Sequence, residues 1–128
     1  MQMRSFEYKY FLLAMFAFLI VSCSHVDEVT PRKYLAFVVA DLELQRNAIS
    51  KALLSDKDVP IAGSLVWRPT DGTKTPPPDF GWITRAGVIF VHNEKFGVIL
   101  VQEPKIINGK VIWSCVVHPT SAKPKLCD

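Results

Sequence analysis

The pair Asn108-Gly109, set between two runs of β-branched and aromatic residues, is what most constrains the fold of this chain. A two-residue hairpin turn asks for positive φ at both central positions, and Asn-Gly meets that demand with little strain. Before the pair lies Phe96 to Val101, after it Lys110 to Val117, and Val88-Ile89-Phe90-Val91 stands one turn upstream. These runs read as strands. His92-Asn93-Glu94-Lys95 supplies the other turn, and Pro104 and Pro119 mark strand ends because proline cannot donate to a ladder. Strands so close in sequence pair as an antiparallel meander.

The preceding stretch has another period. From Tyr34 the apolar residues Leu35, Val38, Val39, Leu42, Ile49 and Leu53 recur at helical spacing, with Asp41, Glu43, Arg46 and Lys51 mostly on the other side. Pro31 stands where a helix can begin, since its missing N–H is one of the orphan donors of a first turn. The spacing predicts one long amphipathic helix over 32–54, stopped by Ser55-Asp56-Lys57-Asp58 and Pro60. Residues 55–82 read as a long loop, punctuated by Gly63, Pro69, Asp71, Gly72 and a stiffening Pro76-Pro77-Pro78. One long helix on a three- to four-stranded antiparallel sheet over 83–118 makes the expected class α+β. The 128 residues suit one domain, and 49% apolar with 21% charged residues is ordinary globular composition.

Phe11 to Val21 is an unbroken apolar run of eleven residues, about half of what a bilayer-spanning helix needs. Arg4 and Lys9 precede it, as in an export signal. Ile20-Val21-Ser22-Cys23 then resembles the lipobox of bacterial lipoproteins. That resemblance implies a signal sequence over 1–22, removal of it before Cys23, and acyl chains on Cys23 that hold a single domain, 23–128, on a membrane surface. Ser24 after the cysteine implies the outer membrane of a Gram-negative cell envelope. Assigning Cys23 to lipid leaves Cys115 and Cys127, which an oxidising compartment lets join. A disulfide closing that loop would contribute roughly 3 kcal/mol in the chain-entropy model. The metal alternative has Cys115, Cys127 and His118 as candidate ligands but lacks the CxxC spacing, so no metal is expected.

Ile112-Trp113-Ser114-Cys115, with Pro124 and Cys127 near the end, resembles the C-terminal signature of type IV pilins. Gly87-Val88-Ile89, the apolar strand Ile99 to Gln102 ending at Pro104, and Asn108-Gly109 before the last strand are similar to the same family. The resemblance is best over 82–128 and looser over 31–81. It implies a pilin-like fold with a disulfide-closed tail, 115–128. Lys9 stands before Tyr10, and Ala14 stands where a pilin stem carries glutamate, so a pilin-type domain on a different anchor is implied.

No nucleophile elbow, HExxH, Walker loop or GxGxxG accompanies His92, His118, Asp71 or Asp79, so neither an enzyme nor a cofactor is expected. The formal charge of +3 is too mild to announce a nucleic-acid binder. Arg85, Lys105, Lys110, Lys123 and Lys125 would nonetheless gather at one end if the tail folds back through Cys127; Trp67 and Trp82 add candidate stacking surfaces, with at least one of the two expected to cap the core under the long loop. The expected function is protein–protein docking by a minor or accessory component of a type IV pilus or related secretion or competence system. Its partners would be pilin-type subunits or the machinery, with the membrane holding the N-terminus. The alternatives are a DNA-uptake receptor using the basic tail and an outer-membrane lipoprotein that binds an unrelated partner.

Overall fold

Thr30 and Pro31 start the first helix as a capped end. The Thr30 hydroxyl accepts from the Lys33 N–H at 3.1 Å, and Pro31 occupies a first-turn position that needs no donor. The structure, a computed structural model, describes residues 28–69 and 75–128. The signal sequence and Cys23 lie outside the described residues, as do Asp71 and Gly72.

Helix α1 runs Pro31–Asp41 and α2 runs Glu43–Leu54, with Leu42 between them at φ −84° and ψ 0°. The single long helix expected over 32–54 is therefore corrected to two short ones. The reason lies in the stripe itself. Tyr34, Leu35, Val38, Val39 and Leu42 are buried, and the next positions on that face are Gln45 and Arg46 before the apolar sequence resumes at Ile49. Val39 is among the last carbonyls of α1, which a helix end leaves in need of donors. Arg46 Nη1 donates to the Val39 carbonyl at 2.7 Å and to Gln102 Oε1 of the sheet at 3.1 Å. The break thus gives a half-buried guanidinium two acceptors. Burial pulls Arg46 below the ordinary arginine range, with Glu43 opposing.

The sheet is a five-stranded antiparallel meander in the order β1 (Gly63–Ser64), β2 (Phe80–Ile83), β3 (Ile89–Asn93), β4 (Val98–Ile107) and β5 (Lys110–His118). It exceeds the expected three to four strands because the 55–82 segment contributes β1 and the start of β2. Leu65 covers Gly81, where a β-carbon would lie 2.7 Å from the leucine side chain. Gly81 therefore lets the segment after β1 close over the sheet. Asn108 and Gly109 have φ of 52° and 75°, so the β4–β5 hairpin has the two-residue turn that the pair predicts.

Both helices lie on one face of the sheet. Ile83, Ile89, Val91, Val98, Leu100 and Val117 point there and form one cluster with the buried residues of α1 and α2. At one end Tyr34 stacks on Phe96 with ring centroids 4.4 Å apart, while Asn93 Nδ2 donates to its hydroxyl at 3.1 Å. At the other, Trp113 Nε1 donates to Ser50 Oγ at 3.1 Å, and Gly87, at φ +87°, admits the Ile49 side chain. The tail turns through a cis His118–Pro119 bond and two 3-10 turns, Thr120–Ala122 and Lys125–Cys127, before the Cys115–Cys127 disulfide closes it. Ala122 and Pro124 are buried, and Arg32 Nη2 donates to the Ser121 carbonyl at 3.1 Å. The fold is α+β with a C-terminal disulfide.

Two predictions test this account. Arg46→Leu leaves the Val39 carbonyl and the buried Gln102 short of a donor, so urea denaturation is expected to show a loss of about 2 kcal/mol. Replacing Gln102 with leucine as well should return part of that loss, and a single variant as stable as the parent would refute the role given to Arg46. Burial raises the Tyr34 phenol above its ordinary 10.0, with Asn93 opposing and Asp79 adding. An acid with a raised folded pKa favours folding below its unfolded value and loses that contribution as pH climbs through it. Thermal melts from pH 8 to 11 should therefore fall less steeply for Tyr34→Phe than for the parent.

Candidate docking surface

Strand alternation sends every second side chain to the face that the helices leave uncovered. The register aligns Trp82, Phe90, Val101 and Val116 in one row across β2 to β5, and Phe80, His92, Ile99 and His118 in the next. Phe80 is 53% exposed, Trp82 41%, Phe90 36% and Val116 64%. Among the described residues no element packs over these rows. Isolated exposed apolar residues are normal on a protein surface, but a contiguous patch marks an interaction site. With flat aromatic side chains flanked by two imidazoles, such a surface can bury area against a partner at little entropic cost.

The residues singled out from the sequence fall in three places. Arg85 lies in the β2–β3 turn, and Lys105 and Lys110 flank the hairpin end; the neighbouring Gly87 and Pro104 are in close approach, so these three share one end of the sheet. Lys123 and Lys125 lie in the tail, which packs against α1 and returns to β5 at Cys115. Lys123 Nζ also sits 3.3 Å from an Asp128 carboxylate oxygen. Trp67 is half-buried against the core with its Nε1 enclosed, while Trp82 is exposed on the open face. Cys115 and Cys127 are joined, and Cys23 lies outside the described residues.

Phe80, Phe90, Ile99 and Val116 escaped the sequence reading. Their strands are apolar at both alternating positions, as in Val88-Ile89-Phe90-Val91, so the pattern does not say which face is covered.

A second concavity of about 480 Å³ lies between α2 and the segment around β1, lined by Leu44, Gln45, Ala48, Ile61, Leu65 and Arg68. Its lining is mostly apolar, and Gln45 Oε1 is buried there without a hydrogen-bond partner among the described residues. Among the described residues no group of three or more His, Cys, Asp or Glu side chains is placed to hold a metal ion, and no helix is long and apolar enough to cross a membrane.

Helix α1 follows Thr30 and in its first turns Arg32 reaches Ser121 and Tyr34 reaches Asn93, whereas Asn108-Gly109 turns at the far end of β4. The ten residues of β4 span about 33 Å at the usual strand rise. The start of α1 and the hairpin end are thus opposite poles of the sheet. No family model matches the chain, and no curated protein or solved structure is found to be similar to it.

Proposed function

We propose that this chain is a non-enzymatic, pilin-like protein of the Gram-negative cell envelope. It is held on the membrane through Cys23 and docks a protein of a type IV pilus or related secretion system with its open sheet face. The row Trp82, Phe90, Val101 and Val116 carries this reading, because it is an ordered apolar surface with nothing over it among the described residues. The resemblance of residues 82–128 to type IV pilins supports the system, and the lipobox resemblance supports the anchor. With Thr30 at the membrane side, the face stands along the axis leading away from the bilayer.

A DNA-uptake receptor draws less support, since the formal net charge is only +3 and Lys123 is already paired with Asp128. That reading requires duplex DNA affinity that falls steeply between about 50 and 200 mM salt.

The test pairs Trp82→Arg with Phe90→Glu, both exposed, in the native host. The variant is expected to stay folded and membrane-bound while its co-purification with sheared pili or the assembly machinery drops at least about tenfold, because aromatic anchors carry most of an interface. Unchanged co-purification would overturn the assignment of this face. Intact mass of the membrane-extracted protein should begin at an acylated Cys23; a species retaining Tyr10 would overturn the lipid anchor.

A further inference from the structure

The outer edge of β5 is a second surface, distinct from the open face. β5 ends the sheet order, so among the described residues one side of its backbone has no neighbouring strand. The two-residue turn makes Ile107 and Lys110 the closing hydrogen-bonded pair, and antiparallel alternation then points the N–H and C=O of Val111, Trp113, Cys115 and Val117 away from β4. The tail comes back beside the second half of this edge at Cys115 but pairs no backbone group with it; its own backbone bonds run within residues 119–128. Lys110–Ser114 is therefore the open half. Edge strands are ordinarily blunted by lysine, proline, a bulge or a covering segment; Lys110 guards the start of this one, and among the described residues no proline, bulge or covering segment falls between Val111 and Ser114.

Charge decides what fits. Around this edge Lys105, Lys110, Lys123 and Lys125 outnumber the two carboxylates, Glu103 opposite Ser114 and Asp128 beside Lys123. The open half-edge is bounded by Lys110 at one end and by the tail lysines at the other, with Lys105 on the adjacent strand facing Ile112. A second copy of this chain would bring the same excess of lysines to its own edge. Antiparallel self-pairing would also send the two Thr30 ends to opposite poles, away from a shared membrane.

We infer that the β5 edge over Lys110–Ser114 accepts, by strand addition, an extended peptide segment of a partner protein that alternates apolar and small polar residues and carries acidic residues at its flanks. Backbone bonds to Val111 and Trp113 supply affinity, and Lys105 and Lys110 select the acidic flank. The site is separate from the Trp82 face, so either can fail while the other stands.

The experiment uses the full-length chain in detergent and a fluorescein-labelled peptide alternating valine and threonine between paired glutamates, with a lysine-flanked analogue as control. Anisotropy is expected to show the acidic peptide binding at least about tenfold tighter than the basic one. Val111→Pro removes an outward N–H while leaving the β4 ladder intact, and should weaken binding about tenfold or more. Lys105→Glu with Lys110→Glu, which leaves the backbone untouched, should reverse the peptide preference. Hydrogen exchange should show new protection at the Val111 and Trp113 amides, whereas Trp82→Arg with Phe90→Glu should leave binding unchanged. Equal affinity for both peptides, binding that survives Val111→Pro, no binding at millimolar peptide, or a concentration-dependent dimer that the peptide disperses would each overturn the inference.

Discussion

The Arg46 guanidinium lies where the two helices and the sheet meet. Its bonds to the Val39 carbonyl and to Gln102 tie the joint between α1 and α2 to β4, the first strand of the longest hairpin. A bend there lets α1 reach the tail through Arg32 and Ser121 while α2 reaches the opposite end through Ser50 and Trp113. One straight helix with Arg46 in its apolar stripe would have to bury a charge without such acceptors. Since Gln102 is also buried, each polar group answers a need created by the other.

This arrangement spends both helices on a single face. Tyr34 with Asn93 and Phe96 fixes one end of that layer, and Gly87 against Ile49 fixes the other, so neither helix is free to wrap around the sheet. The far face is left with an apolar row that a larger protein would bury under another layer. The tail covers the core beside α1, and the 60–68 segment covers the edge at β1 and β2. Cover is therefore generous on three sides and thin over Trp82, Phe90 and the first half of β5.

The parts legible in the sequence were those with a local cause. Asn108-Gly109 specifies its turn by backbone sterics alone, Pro31 marks a helix start by its missing donor, and the cysteine count pointed to the Cys115–Cys127 bond. The helical period continued past Leu42, yet the break there answers to Gln102, a residue 56 positions away from Arg46, and no local pattern records that. β1 has two residues and forms by pairing with β2, which no period-two signal can announce at such length. The open face was hidden for a further reason: burial of one side of a sheet depends on where the helices land, and strands apolar on both sides are silent about it.

The separation of Thr30 from the Asn108-Gly109 turn has a mechanical consequence. A tether at the first point and a pull at the second would load β4 and β5 along their length. Force in that direction pulls both strands of the hairpin the same way and falls in shear on the rungs of the β3–β4 ladder at once, as in a lap joint, instead of opening them one after another from an end. The crosslink at Cys115 keeps the tail from peeling away under the same pull, and the contact of α2 with both strands passes tension on to the helices. A small domain built this way is suited to holding on.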